Sequence, residues 1–83
     1  MKTHSLKLDR KYYKASKNGQ KTFEIRKNDR DFRVGDILEL CEYYTSDDGT
    51  GHYTGRKHKA IITYILNDER YLKPGYVCLG LFF

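Results

Sequence analysis

The sequence predicts an α+β fold that is mainly β: a small curved sheet of about five strands closing into a barrel, with one early helix. Three observations carry this expectation. Apolar side chains alternate with a period of two in five segments, only residues 10–18 show helical spacing, and the joins between segments are short and polar. A chain of 83 residues makes one domain, residues 1–83, of a size that buries only about 60–65% of its exposable surface on folding. A surface groove is therefore expected rather than a deep enclosed cavity.

In chain order, Thr3 to Leu8 sets His4, Leu6 and Leu8 on one side and Thr3, Ser5 and Lys7 on the other, the pattern of a half-buried strand. Asp9 stands where a helix N-cap belongs, and Gly19 where the helix stops. Between them, Arg10 to Asn18 groups Tyr12, Ala15 and Ser16 on one helical face, with Leu8 and Tyr13 spaced as a hydrophobic staple. A strand at 21–27 follows, then the polar loop Asn28 to Phe32 and a Val34-Gly35-Asp36 turn. Ile37 to Tyr44 and Arg56 to Leu66 read as strands joined by a hairpin loop, Thr45 to His52, rich in Asp and Gly. Ile61 to Leu66 is apolar on both faces, which places it at the centre of a sheet or along a barrel wall covered on each side. Asn67 to Gly75 contains the only proline, and Tyr76 to Phe83 is the last strand. Gly35, Gly55 and Gly80 are candidates for the bends that barrel closure requires.

Charge is unevenly spread. The net charge is +5, but residues 1–33 hold eleven basic and four acidic residues while residues 34–83 hold five and seven. A positive field confined to the first half favours a polyanionic partner, although a basic excess also serves solubility. Cys41 and Cys78 lie far apart in apolar runs, without zinc-site spacing or a disulfide framework, and are expected to be buried thiols. His4, His52 and His58 are scattered, so no metal, cofactor or catalytic triad is implied. No stretch approaches the ~20 apolar residues that span a bilayer, and a cytoplasmic location without membrane contact is expected.

The most informative stretch is Gly19 to Lys27. Phe23 and Ile25 point one way, so Thr22, Glu24 and Arg26 point the other, and Lys21 at the strand end has a stem long enough to swing round and join them. A carboxylate held between two cations stays ionised and accepts hydrogen bonds from amino groups, while the cations engage phosphate or carbonyl oxygens. The plainer reading is a pair of cross-strand ions on a solvated face. Four cations, Arg26, Lys27, Arg30 and Arg33, lie within eight positions and offer a phosphate chain a counter-charge, unless Asp29 and Asp31 neutralise them. Among eight tyrosines, Tyr12, Tyr13, Tyr44, Tyr53 and Tyr76 are candidates for base stacking, most of them serving the core instead.

The order of strand, helix ending at Gly19, Gly-x-Lys-Thr-x-Glu-x-Arg at 19–26 and Val-Gly-Asp at 34–36 resembles the ASCH-type domains of the PUA-like superfamily. The run Lys-Thr-Phe-Glu-Ile-Arg-Lys-Asn-Asp-Arg at 21–30 is similar to their small stand-alone bacterial and phage-associated members. The resemblance covers nearly the whole chain. It implies a small β-barrel with an early helix that binds RNA or a modified nucleotide through a cleft lined by Lys21, Glu24 and Arg26. Thr22, Lys27 and Arg30 complete the expected nucleic-acid-binding set. One branch of the ASCH-type proteins implies an alternative, an amidohydrolase that removes an acyl group from the exocyclic nitrogen of a modified cytidine nucleoside. Its motif agrees through Lys21 and Thr22 but has threonine where this chain has Glu24; here Glu24 would act as base for water with Lys21 as its partner or as an oxyanion stabiliser. A monomer is expected; a further reading has the apolar carboxyl-terminal strand, Gly80 to Phe83, pair with another chain.

Overall fold

Period-two alternation buries His4, Leu6 and Leu8 on one side of β1 (Thr3–Asp9) in the computed structural model, which describes residues 1–83. The helix α1 (Arg10–Lys17) starts where Asp9 accepts a hydrogen bond from the Lys11 amide at 3.0 Å, and ends where the Asn18 amide turns back to Lys14. It is rotated from the face expected. Tyr13 and Ser16 are buried, while Tyr12 faces solvent, because the staple residue Tyr13 packs into the core rather than beside it. No helix is long and apolar enough to cross a membrane.

Four more strands follow: β2 (Phe23–Lys27), β3 (Ile37–Thr45), β4 (Gly51–Leu66) and β5 (Tyr76–Phe82). They form one mixed sheet in the order β1-β3-β4-β5-β2, with β1 parallel to β3 and every other pair antiparallel. The core lies on one face, built on Leu38, Leu40, Ile62, Val77 and Leu79 with Leu6, Leu8 and Tyr13. The central position of β4 agrees with its apolar sequence. Its cover does not: Ile62 is buried, but Ile61 and Tyr64 are exposed, since α1 is the only helix and it packs on the core side.

The hairpin arm is longer than its loop composition suggests. Strand pairing persists to Thr45 and resumes at Gly51, held by the cross-strand pairs Tyr43–Tyr53 and Tyr44–His52, whose rings lie 5.1 Å apart in each case. Between Tyr53 and Lys57 the ladder slips past Glu42, and Gly55, at φ +94°, supplies the left-handed residue this bulge needs. The bulge aims Thr54 and Arg56 at the buried Glu42 carboxylate, with both Arg56 bonds at 2.8 Å. These hydrogen bonds hold Glu42 below the usual carboxylate range. Gly80 has no left-handed φ, but it lies where the β4–β5 ladder shifts register between Ile62 and Tyr64, and a methyl group there would meet Tyr64 at ordinary contact distance.

The expected closed barrel is an open five-stranded sheet. β1 and β2 are its two edges and share no backbone hydrogen bond. Arginine side chains bridge the seam instead. The Lys7 carbonyl accepts from Arg26 Nη2, and the Ser5 carbonyl accepts from Arg30 Nη1 at 2.8 Å. Paired strands lie about 4.8 Å apart, and a gap that admits a guanidinium is too wide for a ladder.

The loop between β2 and β3 is anchored by Asp36. Its carboxylate accepts from the Lys2 amide at 3.0 Å and the Arg33 amide at 3.1 Å, and its Oδ2 lies 2.8 Å from His4 Nε2. Phe32 packs against the His4 ring at 4.9 Å. These bonds, His4 foremost, lower the Asp36 pKa from 3.8 to about 2. A depressed folded-state pKa contributes stability that is complete above the ordinary value and is lost as pH falls through the folded one. Asp36→Asn is therefore expected to lower the urea midpoint at pH 6 and to shrink the further loss that wild type shows between about pH 4 and pH 2. Superimposable pH profiles for the two proteins would remove Asp36 as the source.

Candidate functional site

Glycine-turn geometry and strand alternation gather the signature residues as the sequence indicates, but on the inward face. Phe23 and Ile25 point to solvent, and Glu24 is only 4% exposed. Lys21 Nζ ion-pairs with Glu24 Oε2 and donates to the Phe23 carbonyl at 2.8 Å. Arg26 Nε approaches Glu24 Oε1 at 3.4 Å, without hydrogen-bond geometry, and is the one buried side-chain polar atom left without a hydrogen-bond partner. Burial lowers the Arg26 pKa, Glu24 opposing this and Arg30 adding to it. Glu24 is therefore a pinned, paired carboxylate at the foot of two cations. Its position on β2 is set by β5, where Glu24 opposes Leu79 and Arg26 opposes Val77.

The expected site residues divide between two depressions. Arg26, Lys27 and Arg30 line a groove of about 510 Å³ along the β1–β2 seam, together with Lys7, Asp29 and Tyr53. Lys21 and Glu24 line a second hollow of about 390 Å³, with Tyr12, Phe23 and Ile25. Arg26 belongs to both, lining the first and pairing with Glu24 in the second. Thr22 lines neither, and its carbonyl accepts from the Leu81 amide at 2.9 Å. Arg33 is taken up by Asp31 at 3.1 Å.

One basic groove residue escaped the motif. Lys7 enters because the seam brings β1 against β2, a neighbourhood no local pattern encodes. Its ammonium lies 4.5 Å from the Tyr43 ring, which in turn packs against Tyr53. Among the tyrosines singled out, Tyr13 belongs to the core, Tyr44 is sandwiched by Arg10 and His52, and Tyr12 and Tyr53 stand exposed beside the two depressions. Cys41 and Cys78 are half-buried rather than buried.

Other polar groups inside the fold are also partnered. Ser16 Oγ lies 2.9 Å from His58 Nε2, in a pocket closed by Tyr13 and Phe83. Burial lowers the His58 pKa, with Lys17 adding to this and Glu24 opposing it. The Ser16 hydroxyl has no solvent exposure, so no substrate reaches it. In the hairpin tip Asp48 bonds Ser46 at 2.6 Å rather than His52, an arrangement that caps the turn and does not orient a base. No group of three His, Cys, Asp or Glu side chains is placed to hold a metal ion.

Removing one partner of a buried ion cluster costs more than the cluster contributes, because the remaining charges are left uncompensated. Glu24→Ala is expected to lower stability by about 3 kcal/mol in urea unfolding, and Glu24→Gln, which keeps an acceptor for Lys21, by less. A loss below about 0.5 kcal/mol for Glu24→Ala would mean that Lys21 and Arg26 do not rely on it.

Comparison with known proteins adds two findings. The uncharacterized 12.9 kDa protein in the GpA 3'region of Escherichia phage P2 is 38% identical over 78 residues, covering 94% of this chain and 66% of the phage protein. The chain thus spans just under two thirds of that relative's length. A family model described as Domain of unknown function (DUF3850) matches residues 3–81, from the first residue of β1 through nearly all of β5. By that match, which takes in every strand and the helix, the chain belongs to the DUF3850 family.

Proposed function

We propose that this chain is a binding module for single-stranded RNA or a modified nucleotide, an ASCH-type, PUA-like domain whose ligand lies in the groove along the β1–β2 seam. One observation carries the reading. Lys7, Arg26, Lys27 and Arg30 line one groove against a single acid, Asp29, with an exposed tyrosine, Tyr53, on its wall. Cations set in a row engage successive phosphates, and an aromatic face offers a base a stacking surface worth about 1–3 kcal/mol. Unpaired RNA displays both features at once.

The roles within the motif follow from burial. Glu24 is enclosed and already paired, so in this reading it holds Arg26 and Lys21 in position and leaves the ligand to the cations. The motif order at residues 19–36 and a sheet whose edges come within reach of one arginine both support the PUA-like assignment. Binding is preferred to hydrolysis of an acylated cytidine because the Lys21 ammonium is occupied by Glu24 and the Phe23 carbonyl, and Glu24 has little access to water.

Fluorescence anisotropy with a labelled single-stranded RNA, titrated at several salt concentrations, tests this. Lys7→Ala and Lys27→Ala, both at exposed positions, are each expected to weaken binding and to reduce the slope of log K against log salt by about 0.7, the value for one lost phosphate contact on a single strand. Lys73→Ala, outside the groove, serves as the control. Absence of binding at low salt, or equal slopes for all variants, would end the proposal. Competition by a nucleoside monophosphate distinguishes a nucleotide site from a strand-binding one.

A further inference from the structure

We propose, resting on the reading of the seam groove as a nucleic-acid site, that its ligand is a single-stranded RNA polymer that leaves the groove and crosses the outer face of β1, β3 and β4 to Lys57 and Lys59. Register lays out the path. Lys7 opposes Cys41, and Cys41 opposes Lys57; in the neighbouring row Ser5 opposes Glu39, and Glu39 opposes Lys59. Directly opposed residues share a face, and so do residues two apart on a strand. Lys7, Lys57 and Lys59 therefore stand on one surface, on the opposite side of the sheet from the buried Leu6, Leu40 and His58. Lys27 lies exposed on the other bank of the seam.

The groove does not end at β1. A further hollow of about 210 Å³ adjoins it, lined by Gly55, Arg56 and Lys57 and by Cys41 and Tyr53, which line the seam groove as well. No carboxylate lines this hollow, and Gly55, the left-handed residue of the β4 bulge, leaves its floor without a side chain. Arg56 is spent on Glu42, so Lys57 is the cation that serves it. The Lys57 side chain is 59% exposed and reaches Glu39 Oε1 only at 3.7 Å, well beyond the ~2.7–2.9 Å of a charge-assisted hydrogen bond. An exposed pair of that kind contributes little and yields readily to a phosphate. Lys7, Lys27 and Lys59 take part in no ion pair.

The spread of these cations selects a polymer over a free nucleotide. Lys7 on β1 and Lys57 on β4 are two strand spacings apart, about 10 Å, and the cations of β2 lie beyond the seam on the other side. A mononucleotide carries its phosphate at one place and answers one of these positions. A polynucleotide carries a charge at every sugar and answers them in turn. Tyr53, 61% exposed where the two hollows join, offers a base its stacking face midway along the path. An acidic peptide would meet the lysines but has no base to lay there. The carboxyl-terminal strand offers another chain no edge to pair with, because β5 is hydrogen-bonded on both sides, to β4 and β2. Glu39 stands among the lysines, accepting from Ser5 Oγ at 3.1 Å and holding Lys57, and so restrains the far end of the track.

Fluorescence anisotropy with a labelled oligouridine of about 16 nucleotides, the upper end of the site sizes of such grooves, tests the track. Longer strands gain affinity from extra registers on any site, so the salt dependence is read rather than the affinity alone. Lys57→Ala and Lys59→Ala are each expected to reduce the slope of log K against log salt by about 0.7. Lys14→Ala, which removes the same charge from an exposed position on α1, is expected to leave the slope unchanged. Glu39→Gln is expected to steepen it, because Lys57 is released and a like charge is taken from the path of the phosphates. An oligouridine of about 3 nucleotides, shorter than such sites, is expected to bind Lys57→Ala and wild type with the same slope. Both lysines are exposed, so either substitution leaves the core untouched and either one decides. Wild-type slopes for Lys57→Ala and Lys59→Ala on the long strand, with Lys7→Ala still lowering the slope, overturn the track and leave the seam groove standing. Absence of binding to either length, or a Lys7→Ala slope equal to wild type, overturns the groove reading itself and the track with it.

Discussion

The fold turns on an arginine where a backbone bond is missing. Each edge strand of an open sheet carries unpaired carbonyls that invite another chain, and proteins manage such edges with charge, cover or closure. Here Arg26 and Arg30 reach from β2 and its following loop to the β1 carbonyls of Lys7 and Ser5. One residue thereby does two jobs. Arg26 joins the edges of the sheet and, through Glu24, is tied to Lys21 just before its own strand. The groove exists because this closure is made by side chains, which hold the two edges near each other without drawing them into register.

The interior is unusually polar for so small a chain. His4, Ser16, Glu24, Asp36, Glu42 and His58 are all buried, against eleven buried apolar residues. Glu24 pairs with its sequence neighbours Lys21 and Arg26, but the others meet partners from elsewhere in the sequence: His4 with Asp36, Ser16 with His58, Glu42 with Arg56. Burying a polar group without such a partner is costly, so these pairs act as discrete instructions about which element lies where. They fix the helix to β4, the β2–β3 loop to β1, and the bulge of β4 to β3. Hydrophobic burial alone would tolerate other arrangements of the same apolar side chains.

Much of the fold was legible because strand and helix periods are local. The starts and faces of β1, β3 and β5, the Asp9 cap and the opposite directions of Phe23 and Glu24 all follow from alternation and capping chemistry. What alternation leaves open is which side of β2 faces the core. A strand reading Phe-Glu-Ile-Arg suggests that Phe23 and Ile25 are inside, yet Glu24 is the buried residue, because Lys21 and Arg26 satisfy its charge there. Sheet closure was equally out of reach, since whether β1 meets β2 depends on an order in which β2 sits four places from its sequence neighbour β1. The groove inherits that difficulty: Arg26, Lys27 and Arg30 are near one another in sequence, but Lys7 joins them only through the tertiary seam.

The strand order has a consequence for how the molecule forms and breathes. β3, β4 and β5 follow one another as an antiparallel meander, whereas β1 must find a parallel partner 34 residues away and β2 must dock on the far side, against β5. Local pairings close early at low entropic cost and distant ones late, so the meander is the natural nucleus and both edges are latecomers. The last segments to attach are also the first to fray in native-state hydrogen exchange. A molecule lodged between β1 and β2 bridges these two labile flanks, and its binding energy is spent in part on suppressing their excursions.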